Sequence, residues 1–103
     1  MVARLQTQLF DLASELEGFG RNAGAVVTFT GQVRDDTGSL RALEIEHYPG
    51  MTERALADFG AQATPRFDLE DWLIIHRHGR IAVGQPIMMV ATAARHRRAA
   101  FDA

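Results

Sequence analysis

Cysteine and lysine are both absent from this sequence of 103 residues. Without cysteine, the chain has no means of forming disulfides, thiolate nucleophiles, Cys-ligated zinc sites or iron–sulfur clusters. Without lysine, it offers no side-chain amine as a nucleophile. All 11 of its basic residues are arginines.

The sequence also lacks a strong excess of one charge and any long apolar run. Its 11 basic and 13 acidic residues give a net charge of −2, which argues against a strongly basic nucleic-acid-binding protein. The longest apolar runs, 72–75 and 87–91, are too short to cross a bilayer, and residues 1–8 do not resemble a secretion signal. We therefore expect a cytoplasmic protein that has neither nucleic acid nor membrane as a partner.

The length and the hydrophobic content of 47% are typical of one globular domain, which we expect to span residues 1–103. The apolar spacing predicts an α+β fold, a mainly antiparallel sheet with helices packed on one face. The expected order is a helix, two strands, a second helix, two more strands and the start of a third helix.

In the first half of the chain, apolar residues between Leu5 and Phe19 recur in steps of four and three, which predicts a helix. The β-branched segment 24–34 predicts a strand that is buried on both faces in its first half. Residues 40–48 alternate between apolar and polar and predict a hairpin partner for that strand.

The second helix is expected to follow a strand break at Pro49 and Gly50, with Thr52 as its N-cap and Pro65 as its end. The side of this helix that we expect to be buried comprises Met51, Ala55, Leu56, Phe59 and Ala63. Further strands are expected at 72–78 and 84–93, and a final helix is expected to begin near His96.

Two arginine-containing segments are candidates for anion binding. Residues 95–98, Arg-His-Arg-Arg, lie where a strand is expected to end and a helix to begin, so guanidinium groups and free backbone N–H groups would meet there. Arg34 follows a hydrophobic strand and is the second candidate. The alternatives are a solvated basic turn at 95–98 and, for Arg34, a surface arginine beside Asp35 and Asp36.

His76 and His78 lie two residues apart on an expected strand and could share a metal ion. His47 is the one further histidine that could lie near them, and no third ligand is evident. We therefore expect a structural or surface role for the pair, with no metal bound.

Four segments in the order found here resemble the MoaE family, the catalytic (large) subunits of molybdopterin synthase. They are GAVVTFTGQVR at 24–34, LEIEHYPGMTE at 43–53, IHRHG at 75–79 and HRRAAF at 96–101. The resemblance implies an α/β hammerhead fold and a homodimer at the centre of a heterotetramer. It also implies a partner, a small ubiquitin-like sulfur carrier (MoaD-like) whose C-terminal Gly-Gly is a thiocarboxylate.

The activity implied by the resemblance is a sulfurtransferase reaction in molybdenum cofactor biosynthesis. Sulfur from the carrier passes to cyclic pyranopterin monophosphate, and two transfers build the dithiolene of molybdopterin; no cofactor is implied. The family's substrate-binding residues fall on Gln32, Val33, Arg34, His96 and Arg97. The arginines would neutralise phosphate or developing negative charge, and His96 would donate a hydrogen bond or move a proton.

This sequence departs from the family pattern at its end. Family members continue through a helix and a segment whose lysines belong to the active site, whereas these 103 residues contain no lysine. We therefore expect no catalytic residue within this chain, which looks like a large subunit without its C-terminal portion and is expected to be inactive alone. The alternative is a non-catalytic module that retains the family's anion pocket and its dimerisation.

Overall fold

Two sheets and three helices form the part of the chain that this computed structural model describes, residues 1–48 and 50–103. The elements, in chain order, are β1 (Val2–Gln6), α1 (Leu12–Glu15), β2 (Ala25–Gln32), β3 (Ala42–Ile45), α2 (Met51–Phe67), β4 (Leu69–Arg77), β5 (Gly79–Ala82), β6 (Pro86–Ala94) and α3 (Arg97–Asp102).

The larger sheet has four strands in the order β1-β4-β6-β2, and β3 and β5 form a separate two-stranded sheet. Only β1 and β4 are parallel; the other pairs within the described residues are antiparallel. The α+β class with a mainly antiparallel sheet is thus confirmed. Among the described residues, no helix is both long and apolar enough to cross a membrane.

The core lies on both faces of the larger sheet because the side chains of its central strands alternate. On one face, Leu73 and Ile75 of β4 pack with Met89 and Ala91 of β6 and with Phe10. The opposite face carries Trp72 and Ile74, which pack under α2 and α3. Period-two alternation therefore gives each face of β4 its own apolar layer.

The helix predicted between Leu5 and Phe19 is wrong over most of its length. Leu5 lies in β1, which pairs in parallel with β4 so that Leu5 stands opposite His76. The only helical residues in this region are those of α1, which begins after Asp11, whose carboxylate accepts the backbone N–H of Ser14 at 3.2 Å. Pairing with a distant strand has overridden the local helical spacing.

The predicted hairpin is also wrong. The strand predicted at 24–34 is present as β2, but it pairs with β6, and β3 pairs with β5. Burial of β2 on both faces is not observed either, since Val26 is 44% exposed and Phe29 is 61% exposed. The reason is that β2 is an edge strand with one neighbour.

Helix α2 begins two residues earlier than a Thr52 cap would require. Gly50 is the N-cap, with a φ of 80° that favours glycine, whereas the Thr52 hydroxyl accepts the backbone N–H of Tyr48 at 3.1 Å. The strand break predicted at Pro49 falls on a residue outside those described.

Of the side of α2 that was expected to be buried, Leu56 and Ala63 pack against the core. Met51, Ala55 and Phe59 are exposed, and Ala55 and Phe59 line a surface cavity beside Leu5 of β1 and His76 of β4 instead of packing into the core.

Pro65 does not end α2, which continues to Phe67. Proline removes one backbone donor, but its fixed φ of about −65° is compatible with helical backbone, so α2 continues for two further residues. The helix ends instead at Asp68, which adopts the left-handed conformation and donates its N–H to the carbonyl of Thr64.

The second half of the chain largely follows the prediction. The expected strands at 72–78 and 84–93 are present as β4 and β6, and α3 is the helix expected near His96. The sequence reading missed β5, a strand of four residues between them.

Candidate functional site

The first candidate segment, Gln32 to Arg34, lies where β2 leaves the sheet. The pairing of β2 with β6 shifts register between Gly31 and Gln32, and such a bulge changes the direction of the side chains that follow. Val33 is 3% exposed, and its backbone makes two hydrogen bonds to the β5–β6 turn. Its N–H donates to the carbonyl of Gln85 at 3.0 Å, and its carbonyl accepts the N–H of Gly84 at 2.9 Å.

Arg34 follows this fixed residue and projects into solvent, with its side chain 82% exposed. Its guanidinium forms a two-pronged ion pair with Asp36, with Nε 2.9 Å from Oδ1 and Nη2 3.2 Å from Oδ2. Exposed and paired with Asp36, Arg34 is therefore the surface arginine that the sequence offered as an alternative. Its fork remains accessible to a phosphate that displaces Asp36.

Asp35 organises the loop beyond Arg34. Its carboxylate accepts the backbone N–H groups of Thr37, Gly38 and Leu40 at 3.0, 2.9 and 3.1 Å. These bonds, with the Thr37 N–H contributing most, hold the pKa of Asp35 below its ordinary value. The loop next to Arg34 thus has a defined shape and carries two carboxylates.

The second candidate segment, Arg95 to Arg98, is an exposed basic turn in which Arg95 and His96 connect β6 to α3 and Arg97 and Arg98 begin α3. His96 is the N-cap of α3 and makes no capping hydrogen bond through its side chain. Arg98 is 93% exposed, and its Nε lies 3.7 Å from the carboxylate of Asp102. Arg95, His96 and Arg97 present polar side chains to solvent, which suits an incoming anion and equally suits a solvated turn.

One chain does not bring the two segments together. Ala25, at the start of β2, pairs with Ala94, next to the basic turn, whereas Gln32, at the end of β2, pairs with Pro86. At roughly 3.3 Å per residue, the two ends of this strand are about 23 Å apart. Arg34 and Arg97 of the same chain therefore lie at opposite ends of β2, which is too far apart for one small substrate.

The histidines form a different cluster. The rings of His47 and His78 have centroids 3.8 Å apart. The sequence paired His78 with His76 and named His47 only as a possible neighbour. His76 instead places Nδ1 2.8 Å from the carbonyl of Arg77. Burial, followed by His47, lowers the pKa of His78, and Glu53 opposes this shift. Within residues 1–48 and 50–103, no group of three histidine, cysteine or acidic residues is placed to hold a metal ion.

Arg77 was missed by the sequence reading. It is 6% exposed, and its guanidinium donates to backbone carbonyls of two separate segments. The signal was available, because Arg77 shares the alternation of Leu73 and Ile75 and so falls on a buried face of β4.

Comparison with known proteins connects these segments to one family. Residues 5–103 match the family described as MoaE protein. A relative from Cereibacter sphaeroides, named molybdopterin synthase catalytic subunit, is 55% identical over 102 residues, which is 96% of this chain and 70% of the relative. A relative of the same name from Mesorhizobium japonicum is 48% identical over 103 residues, 97% of this chain and 65% of the relative. The chain thus spans about two thirds of the length of these relatives.

Solved structures give the same result for the fold. A molybdopterin biosynthesis MoaE protein from Burkholderia ambifaria matches with a TM-score of 0.87 at 43% identity, covering 99% of this chain and 69% of that one. The crystal structure of molybdopterin synthase from Staphylococcus aureus matches with a TM-score of 0.85 at 28% identity, covering 95% of this chain and 74% of that one.

Proposed function

Because this chain belongs to the MoaE family, we propose that it provides the catalytic-subunit fold of a molybdopterin synthase. The reaction is sulfur transfer from the thiocarboxylated C-terminus of a small carrier subunit to cyclic pyranopterin monophosphate. The observation that carries the proposal is the identity of 55% to a relative of that name over 96% of this chain. We treat residues 1–103 as one domain of that subunit and place it in the cytoplasm, which cell fractionation would test.

Substrate binding is assigned to the set Gln32, Val33, Arg34, His96 and Arg97. Within it, Val33 is buried with both backbone polar groups bonded inside the chain, so its part is to hold Arg34 in place. The substrate carries phosphate, and a guanidinium fork matches the geometry of phosphate oxygens. Arg34 offers such a fork once Asp36 is displaced, and Arg97 offers a second on the basic turn. His96 is exposed at the N-cap of α3, and its imidazole could donate a hydrogen bond or transfer a proton.

The separation of Arg34 from Arg97 supports a pocket shared between two copies of the chain. β2 is an edge strand, and two such edges related by a twofold axis run antiparallel. That arrangement places Arg34 of one protomer near the basic turn of its partner. Exposed Val26 and Phe29 supply apolar surface along the same strand. The homodimer predicted from the sequence would therefore complete the site.

Sedimentation of two variants tests this arrangement. Phe29→Lys should weaken self-association, because a charge would replace a side chain that is 61% exposed on β2. Phe59→Lys is the matched control, since Phe59 is 66% exposed on α2, away from that edge. Equal weakening by both variants, or a monomeric parent at tens of micromolar, would contradict the shared pocket.

The sequence contains no lysine. If catalysis uses side-chain amines, these 103 residues do not supply them. The second candidate function is a non-catalytic module that binds the anion and dimerises, and an absence of lysine from the whole protein would favour it. A turnover assay with the thiocarboxylated carrier and cyclic pyranopterin monophosphate separates the two. Molybdopterin formation by a verified 103-residue polypeptide supports the enzyme, whereas substrate binding without turnover supports the module.

A further inference from the structure

Arg77 is a buried cation whose hydrogen bonds all go to uncharged groups. Its Nε and Nη2 donate to the carbonyl of Thr7, both at 3.1 Å, and its Nη1 donates to the carbonyl of Pro86 at 2.9 Å. No carboxylate pairs with it among the described residues. Burying a guanidinium to 6% exposure without a counter-ion costs free energy of folding, which its hydrogen bonds must offset. Because those bonds form only when both segments are in place, Arg77 holds the two segments together.

The segment held at Pro86 is the one that holds Val33. Gln85 and Pro86 are adjacent: the Gln85 carbonyl accepts the N–H of Val33, and the Pro86 carbonyl accepts Arg77. Gly84, one residue earlier, donates to the carbonyl of Val33. Arg77 therefore holds the β5–β6 turn through Pro86, and the turn holds Val33 through both the N–H and the carbonyl of that residue.

Arg34 directly follows Val33, the residue at which this series of hydrogen bonds ends. Its own side chain makes only an exposed ion pair with Asp36, so the direction in which it leaves the sheet depends on the backbone of Val33. The bulge between Gly31 and Gln32 sets that direction only if the strand after it stays paired to the turn.

We propose that Arg77 is a positioning residue, which orients Arg34 for phosphate binding by holding the β5–β6 turn against Val33. This inference rests on the proposed function, because it takes Arg34 as a substrate ligand. Arginine is required because its planar fork reaches the carbonyls of Thr7 and Pro86 at once, which the single ammonium of a lysine does not.

The test compares Arg77→Lys with Gly60→Ala as a control of lowered stability. Gly60 packs on Trp72, which stands opposite Thr92, at the other end of β6 from Pro86. Calorimetry with cyclic pyranopterin monophosphate should show affinity reduced about tenfold by Arg77→Lys, equivalent to one lost charge-assisted contact, and unchanged by Gly60→Ala. In an Arg34→Ala background, Arg77→Lys should have less than a twofold effect, because its influence passes through Arg34.

Amide hydrogen exchange at Val33 and Gly84 provides a readout that needs no substrate. Exchange at both positions should accelerate in Arg77→Lys and stay at the parent rate in Gly60→Ala; equal acceleration in the two variants would overturn the inference. An equal loss of affinity with and without Arg34 would overturn it as well. If Arg34→Ala alone leaves affinity unchanged while exchange at Val33 responds to Arg77, the proposed binding site fails and the structural link stands. Arg77→Gln, which keeps a donor for one of the two carbonyls, replaces Arg77→Lys if the latter does not fold.

Discussion

Arg34 and Asp36 form a two-pronged ion pair, in which Nε of Arg34 lies 2.9 Å from Oδ1 of Asp36 and Nη2 lies 3.2 Å from Oδ2. Both side chains are exposed, at 82% and 70%, so water and salt screen the pair and it adds little to stability. The pair nevertheless covers the fork that a phosphate would use. Asp36 is therefore an internal competitor for the anion proposed to bind at Arg34.

Replacing the competitor should strengthen anion binding. Asp36→Asn keeps the shape of the side chain and removes its charge, so the affinity for cyclic pyranopterin monophosphate should rise about two- to fivefold, the range expected for an exposed ion pair. Calorimetry measures this directly. Asp58→Asn, an exposed position on α2, changes the net charge equally and should leave affinity at the parent value. A rise of the same size in both variants would mean that only net charge matters.

Gly60 should resist substitution although it lies in a helix. A Cβ at this position would overlap the six-membered ring of Trp72, which is 7% exposed and enclosed by the core. Alanine adds about 1 kcal/mol of helix propensity, and overpacking costs roughly 1–3 kcal/mol. We expect Gly60→Ala to lower the free energy of unfolding, as measured by urea denaturation. In a Trp72→Leu background the same change should become neutral or stabilising; a loss that persists there would contradict the overlap.

Thr92 should hold α3 against the sheet. Its buried hydroxyl donates to the carbonyl of Ala100 at 2.6 Å, and Thr92 is 6% exposed. Thr92→Val has nearly the same volume and removes the donor, so the free energy of unfolding should fall by about 1–2 kcal/mol. Thr92→Ser keeps the hydroxyl and should preserve the bond. Hydrogen exchange in α3 should accelerate in the valine variant and much less in the serine variant.

The parts of the fold that the sequence predicted correctly are those that local pattern determines. The continuous apolar run 72–75 is visible in the sequence and predicts the strand observed as β4, in which Leu73, Ile74 and Ile75 are buried. β1 could not be predicted in this way, because Val2 gains its partner only when Leu73 is brought beside it. The pairing of β3 with β5 is similarly non-local, and it overrode the hairpin that the spacing of residues 24–48 favours.

The candidate site shows the same limit. Sequence and resemblance selected Arg34 and Arg97 as residue types suited to phosphate, but their positions at opposite ends of β2 follow from its register with β6. The Asp36 contact was foreseeable from its spacing, since the two residues are neighbours in the chain. The burial of Arg77 could have been predicted from its place on β4, but its hydrogen bonds could not, because the carbonyls of Thr7 and Pro86 come together only in the folded sheet.

His78 should make the protein less stable in acid. Burial lowers its pKa from an ordinary value of 6.5, the neighbouring His47 and His76 lower it further, and Glu53 opposes them. Glu46 and Arg77 line the same cavity. Because the folded state binds a proton less readily than the unfolded chain, this contribution to stability is fully present above about pH 6.5. It is lost as the pH falls through 6.5 toward the lowered pKa of the folded state.

Urea denaturation between pH 7.5 and 5 measures this dependence. The free energy of unfolding should decline over that range in the parent, and the decline should be smaller in His78→Asn, which cannot be protonated. His47→Asn should also reduce the decline in the free energy of unfolding, because it removes a second protonatable ring whose centroid lies 3.8 Å from that of His78. His96→Asn is the control, since His96 is exposed on the basic turn, and it should keep the parent slope. A slope unchanged in His78→Asn would assign the acid sensitivity to other groups and remove the histidine pair as its cause.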